Sequence, residues 1–182
     1  MANNAVPSVI LLYMNKQEVY EFLSVNRIKF EAVEHPAVFH MGEDHGVELP
    51  YPEADAKNLF VRDDKKQNYY LITVRGEKKV DLKAFRREHG LRPLSFGSPE
   101  ALKEKLDLIP GSVCPFGLLS NEERDVRFYL DADFLKEPYL IGCHPNDNTA
   151  TVFLKTEDMI NLIKEHGTQV EVVELPVREP VG

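Results

Sequence analysis

The stretch GSVCPFG, residues 111–117, is a glycine-bounded loop with an internal proline that follows a helical segment and precedes strands. Glycine lets main-chain amides turn inward and proline fixes one backbone dihedral, so such a loop can present N–H groups to a carbonyl or carboxylate oxygen. Taken alone, a loop of this composition is more often an ordinary turn. A second motif further along the chain, GCHP at residues 142–145, gives the loop a chemical context.

The composition predicts one soluble globular domain. The chain has 182 residues, of which 43% are hydrophobic and 29% charged. The net charge of −8 argues against broad coating of nucleic acid, so we expect no DNA partner. The apolar run at residues 9–14 is too short to cross a bilayer and has no basic leader, which favours the cytoplasm and no membrane partner. Two cysteines suit a reducing compartment better than a disulfide scaffold.

Periodicity and capping signals predict a mixed α/β (α+β) fold. A capping box at Asn15 opens a first helix, Asp81 and Ser98 begin two more, and Thr156 caps a last helix that ends at His166. Strands are expected at residues 28–35, 54–61, 69–74, 126–130, 139–142, 148–154 and 169–175. We therefore expect a leader at 1–14, one domain at 15–176 and a frayed tail at 177–182. The domain is predicted to contain one central mixed, largely antiparallel sheet surrounded by helices.

Three histidines at intervals of five, at the end of a predicted strand and in the loop at 38–57 that follows it, raise a metal hypothesis. The three are His35, His40 and His45. Their spacing matches no zinc pattern and does not stack them on a helix face. A polar loop over a site is the favoured interpretation, and no metal is expected.

Basic residues suggest contact with phosphate. Lys57 stands at the start of a predicted strand, where its side chain could reach a cleft, although an exposed surface lysine is the commoner outcome. Between Arg75 and Arg92 there are seven basic residues against three acidic ones. This excess could face a phosphate backbone, although composition alone favours an ordinary solvated helix face. The candidates for such a contact are Lys78, Lys79, Lys83, Arg86 and Arg87.

Four motifs in this order resemble the YbaK/prolyl-tRNA synthetase editing-domain superfamily: KNLF at 57–60, the LRP turn at 91–93, GSVCPFG at 111–117 and GCHPNDNT at 142–149. Within it, the chain is most similar to the free-standing prolyl-tRNA deacylases (ProX or PrdX), which clear alanine mischarged onto proline tRNA. The resemblance covers roughly residues 15–175. It implies a YbaK-like editing fold and a hydrolase that uses no metal, no cofactor and no covalent intermediate.

The resemblance also implies the site residues. Lys57 would be the essential lysine, Gly111 to Pro115 the Gly-x-x-x-Pro loop, and His144 the histidine of the Gly-x-His-Pro motif. Amides around Ser112 to Phe116 could stabilise an oxyanion, Lys57 could bind a phosphate or the ester carbonyl, and His144 could be a general base or a positioning group. Hydroxyls of the terminal adenosine could assist. The catalytic candidates are thus Lys57, His144, Gly111 and Pro115, and the substrate-binding candidates are Asn58, Ser112, Val113, Cys114, Phe116, Gly142, Asn148 and Thr149.

The expected partner is the acceptor end of mischarged proline tRNA, with prolyl-tRNA synthetase or an elongation factor as candidate presenters of substrate. The ester could carry cysteine or serine instead of alanine. Two alternatives stay open: a tRNA-end binding module that has lost catalysis, and a nucleophilic mechanism in which Cys114 attacks with His144 as its base.

Overall fold

The structure, a computed structural model, describes residues 13–39 and 45–180 of the chain. These residues form four α-helices: α1 (Lys16–Val25), α2 (Leu82–Glu88), α3 (Pro99–Leu106) and α4 (Thr156–His166). Eight strands complete the described part: β1 (Phe30–Glu34), β2 (Ala56–Asp63), β3 (Tyr69–Arg75), β4 (Leu94–Phe96), β5 (Val126–Asp131), β6 (Leu140–Cys143), β7 (Ala150–Lys155) and β8 (Val170–Val173). None of the helices in these ranges has the length and apolar character needed to cross a membrane.

The helix boundaries follow local capping chemistry, with one exception. Asn15 and Glu18 form the predicted capping box of α1, and the side chains of Asp81 and Ser98 cap α2 and α3. The prediction that Thr156 caps α4 is wrong. Lys155 holds the cap position without a side-chain bond, while the Thr156 hydroxyl donates to the Phe134 carbonyl oxygen at 2.8 Å.

The α+β class is confirmed, but the strands divide between two sheets and not one. The first has the order β1-β7-β6 and is antiparallel; the second has the order β4-β2-β3-β5-β8. In the second sheet β3–β5 and β5–β8 are parallel, while β2 pairs antiparallel with β3 and with the unpredicted strand β4. An isolated parallel bridge between Asp55 and Gly142 joins the two sheets.

Close packing at Gly142 explains how the sheets approach each other. A Cβ atom at this position would lie 2.5 Å from a ring carbon of Phe153 and 3.3 Å from the Ala54 carbonyl oxygen. Because real Cβ atoms do not come so close to other atoms, the absence of a side chain at Gly142 lets the start of β2 lie against β6. This junction sets the positions of the segments on either side of it.

Two segments differ from their predicted extent. The stretch at 111–117 is a loop only in its first part, since a 3-10 helix begins at Pro115 and continues to Ser120. The tail predicted to fray from residue 177 is held at its start, because Val177 bridges to Val80 and the Arg178 amide donates to the Lys79 carbonyl oxygen. The first twelve residues of the predicted leader lie outside the described residues.

Candidate active site

A cavity of about 180 Å³ opens where the two sheets meet. Five of the residues predicted to form the site line it: Lys57, Asn58, Gly111, Val113 and His144. The lining also includes Asp55, His45 and Val38, which belong to the loop at 38–57 predicted to lie over the site but were not named individually. The structure therefore brings together the start of β2, the first half of the 111–117 loop and the turn that follows β6.

A hydrogen bond to the backbone defines which ring nitrogen of His144 carries the proton. Its Nδ1 lies 2.8 Å from the Ala150 carbonyl oxygen. A carbonyl can only accept, so Nδ1 carries the proton and, in the neutral ring, Nε2 is left as an acceptor. Burial is the main cause that lowers the pKa of His144 below its ordinary value, which keeps the ring neutral at pH 7. His144 can therefore accept a hydrogen bond or a proton.

The β2–β3 hairpin presents Lys57 and Asn58. Lys57 pairs with Val74 and Asn58 with Thr73, whose hydroxyl donates to Asn58 Oδ1 at 2.7 Å. This bond orients the Asn58 amide. Among the described residues, no hydrogen-bond or ion-pair partner engages the Lys57 ammonium. The half-buried Lys57 thus brings an uncompensated positive charge to the cavity.

The Gly111–Pro115 loop offers fewer free amides than predicted. The Ser112 amide and hydroxyl both donate to the Ile109 carbonyl oxygen, at 3.1 and 3.0 Å, so Ser112 closes the turn. Gly111 has φ +92°, a conformation that favours glycine. Gly111 and Val113 are the loop residues that line the cavity, and their amides donate to no other described residue. The donors available to a ligand are therefore those of Gly111 and Val113.

The second half of the loop belongs to the hydrophobic core. Cys114, Pro115 and Phe116 are fully buried, and Cys114 Sγ donates to Asn146 Oδ1 at 3.1 Å. Burial raises the pKa of the Cys114 thiol to about 11, so almost none of it is thiolate at pH 7. The burial of Cys114 argues against the hypothesis of a nucleophilic thiol, and neither Cys114 nor Phe116 lines the cavity. Cys114 and Cys143 are free thiols.

Three further substrate-binding candidates do not line the cavity, and each makes contacts within the fold instead. Gly142 lies at the junction of the sheets. Asn148 Nδ2 donates to the Val38 carbonyl oxygen at 2.9 Å and so ties the loop after β6 to the segment after β1. The Thr149 hydroxyl accepts from Lys16 Nζ at 2.8 Å and bonds to Asp147. Their roles in binding substrate stay predictions.

The histidines of the metal hypothesis have other partners. His35 is buried, with Nδ1 2.9 Å from the Pro36 carbonyl oxygen and Nε2 2.9 Å from the Thr151 hydroxyl, so both ring nitrogens are engaged. The ring of His45 meets that of His35 edge-on, with 4.9 Å between centroids. His40 lies outside the described residues. Within residues 13–39 and 45–180, no three His, Cys, Asp or Glu side chains form a group that could hold a metal ion.

Asp55 is an acidic residue of the cavity that was not among the predicted site residues. Its carboxyl is largely desolvated, and this burial raises its pKa from 3.8 to about 6, against the smaller opposing effects of the Ala56 amide and His35. The available signal was its position two residues before Lys57, since alternate residues of an extended chain lie on the same side. A carboxyl at that position could have been paired with the predicted site.

The basic segment is only partly available to a phosphate backbone. Lys78 Nζ forms ion pairs with Asp131 and, at 2.7 Å, with Asp133, so its charge is neutralised within the fold. The remaining candidates differ in exposure: Lys79, Lys83 and Arg87 are exposed and Arg86 is half-buried. The contact of these residues with tRNA stays a prediction.

Comparison with known proteins agrees with the resemblance. The family model described as the aminoacyl-tRNA editing domain matches residues 47–162. The prolyl-tRNA editing protein ProX of Acetoanaerobium sticklandii is 34% identical over 160 residues, which cover 88% of this chain and 97% of that protein. The prolyl-tRNA synthetase associated domain-containing protein 1 of Mus musculus is 34% identical over 155 residues, covering 84% and 91% of the two chains.

The fold of the chain is also similar to that of a solved protein structure. A solved structure of a protein described as a candidate trans-editing enzyme for prolyl tRNA synthetase superposes with a TM-score of 0.67 at 23% identity, covering 92% of this chain and all of the other. The family match spans the start of β2, the 111–117 loop and the turn after β6, which are three of the segments that line the cavity; Val38, Phe39 and His45, which also line it, precede the match. The chain belongs to the aminoacyl-tRNA editing domain family.

Proposed function

We propose that this chain is a trans-editing aminoacyl-tRNA hydrolase that cleaves the ester of alanine mischarged onto proline tRNA. The observation that carries the proposal is the convergence of Lys57, His144 and the Gly111–Val113 backbone on one cavity. The name of the Acetoanaerobium sticklandii relative, a prolyl-tRNA editing protein, supports proline tRNA as the substrate.

The reaction is the attack of water on the ester carbonyl, and it needs stabilisation of the oxyanion that develops. The amides of Gly111 and Val113 are suitable donors because they line the cavity and donate to no other described group. Backbone donors held by a turn need no reorganisation as charge develops. The Ser112 bonds to Ile109 keep this turn in place.

Lys57 supplies the positive charge in this scheme. Since its ammonium has no partner among the described residues, it is available to the ester carbonyl or to the terminal phosphate. A compact ammonium suits either oxygen as a point charge. Asn58, whose amide is held by Thr73, also lines the cavity and adds a polar group to it.

His144 supplies an acceptor. Its Nε2 can take a hydrogen bond from the attacking water or from a hydroxyl of the terminal ribose, because Nδ1 is committed to Ala150. In the first case His144 acts as a general base, and in the second it positions a substrate hydroxyl that assists the attack. Both roles use the same neutral ring.

Selection of alanine over proline would rest on the apolar part of the cavity. Val38 and Val113 line this part and are the residues that would limit the size of the amino-acid side chain. A synthetase pocket built for proline rejects alanine weakly, because each methylene contributes only ~1–3 kcal/mol of discrimination. A second, smaller site removes the product that the first lets through.

The test measures release of amino acid from proline tRNA charged with alanine, cysteine, serine or proline. Release of alanine and not proline is expected, and Lys57→Ala is expected to abolish it while the protein stays folded. Lys65→Ala is the matched control, since Lys65 lies exposed in the turn at the far end of the same hairpin. Release of cysteine or serine alone would show that the substrate ester carries that amino acid and not alanine. Binding of the tRNA end without release of any amino acid would indicate a binding module. Near-normal turnover by Lys57→Ala would refute the role of this lysine.

A further inference from the structure

Among the described residues that line the cavity, Asp55 is the one with an acidic side chain. It forms no ion pair with Lys57 or with any other described cation. Its interactions are a bond from the Ala56 amide and the attraction of His35. A half-buried carboxylate without a cationic partner is unfavourable, and a cation brought by a ligand would remove this cost.

The charges around the cavity are separated. Lys57 brings one positive charge, Asp55 brings one negative charge, and the neutral His144 ring brings an acceptor. The ring of His35 contacts the rings of His45 and His144, with 4.9 and 6.0 Å between centroids, and its nitrogens bond to Pro36 and Thr151. An aminoacyl ester has matching groups: carbonyl and phosphate oxygens for a cation, and an α-ammonium for a carboxylate.

The backbone holds Asp55 in a defined relation to both predicted catalytic side chains. Lys57 follows it by two residues in the extended segment that becomes β2. Its bridge partner Gly142 precedes His144 by two residues on the other sheet. A carboxyl placed by both sheets can therefore orient a substrate group relative to Lys57 and His144 at the same time.

We propose that Asp55 binds the α-ammonium of the aminoacyl ester and makes the cavity selective for esters whose amino group is free. This inference rests on the proposed function. It adds a recognition element that side-chain size does not provide, since an ester of the same size without the ammonium would be rejected. The discrimination comes from a charge-assisted hydrogen bond that the uncharged ester cannot form.

The test compares proline tRNA carrying alanine with the same tRNA carrying lactate, in which a hydroxyl replaces the ammonium at almost equal volume. The unsubstituted protein is expected to cleave the alanyl ester with a kcat/KM about tenfold or more above that of the lactyl ester. Asp55→Asn is expected to lower kcat/KM for the alanyl ester by a similar factor and to leave the lactyl ester nearly unchanged. Asp55→Glu, which keeps the charge, is expected to retain part of the preference. Glu53→Gln is the control, because Glu53 is an exposed carboxylate two residues away that does not line the cavity.

Each outcome decides between the two proposals. Equal cleavage of both esters by the unsubstituted protein would overturn the recognition of the ammonium and leave the deacylase function standing. An equal loss on both esters in Asp55→Asn would also overturn it, since a role in the chemistry or the fold affects both substrates alike. Cleavage of neither ester would refute the proposed function and the inference with it. The comparison of esters in the unsubstituted protein does not depend on the folding of any variant.

Discussion

Replacing Asp55 by asparagine is expected to stabilise the protein at alkaline pH. Burial raises the pKa of Asp55 from 3.8 to about 6, so the folded state disfavours the carboxylate that the unfolded chain forms readily. The interval between these two pKa values corresponds to at most about 3 kcal/mol of unfolding free energy. Asparagine has nearly the same shape, and its amide oxygen can still accept from the Ala56 amide. The substitution therefore removes the penalty without removing that bond.

The sign of the pH dependence follows from the raised pKa. Well below pH 3.8 the carboxyl is protonated in both states, and Asp55 carries no ionisation penalty. Between pH 3.8 and about 6 the folded state binds more protons than the unfolded chain, so this group makes the protein less stable as the pH rises. Above about pH 6 the penalty is complete. The variant should gain most there and lose its advantage as the solution is acidified.

Urea unfolding of the two proteins at about pH 8 and about pH 4 measures the effect, and the difference between the proteins isolates Asp55 from His35, His45, His144 and Lys57. Glu53→Gln should show no such pH-dependent difference. If Asp55→Asn were no more stable at pH 8, or if its gain did not shrink on acidification, the conclusion that ionised Asp55 destabilises the folded state would be refuted. A gain in stability together with a loss of selectivity for the free amino group would identify a residue that serves function at the expense of stability.

Two further substitutions test the site from its buried side. Cys114→Ser is expected to retain deacylation in a steady-state assay, because the thiol is buried with a pKa of about 11 and a serine hydroxyl can still donate to Asn146 Oδ1; a folded variant without turnover would contradict this. Gly142→Ala is expected to lower the free energy of unfolding by about 1–3 kcal/mol and to reduce turnover, because its Cβ would lie 2.5 Å from a ring carbon of Phe153 and would displace the segment that carries Asp55. An unchanged midpoint in urea would show that the sheets are not packed so closely at this point.

Much of the secondary structure could be predicted because its causes are local. The capping box joins Asn15 to Glu18, three residues apart, and the Asp81 and Ser98 caps act over the same distance. The β2–β3 hairpin needs only two β-rich runs and a polar turn. For the same reason the Thr156 cap was misjudged, since its hydroxyl bonds to Phe134, which no local pattern indicates.

The candidate site could be predicted in part. Ordered motifs located Lys57, Asn58, Gly111, Val113 and His144, all of which line the cavity. The same motifs could not separate the loop residues that face the cavity from those that enter the core. Cys114 and Phe116 share the motif with Gly111 and Val113 but are fully buried, Cys114 as the cap of the 3-10 helix that begins at Pro115 and Phe116 within that helix.

The sequence by itself determined the helices, most of the strands, the family and the chemical types of the site residues, because these depend on neighbours in the chain and on short motifs. Only the tertiary structure decided how the strands divide into two sheets, that Asp55 lies in the cavity, and that Lys78 is neutralised by Asp131 and Asp133. Each of these depends on a contact between residues far apart in sequence, such as the bridge between Asp55 and Gly142. The packing that forms such contacts also sets burial, and burial determines which ionisable groups keep their charge.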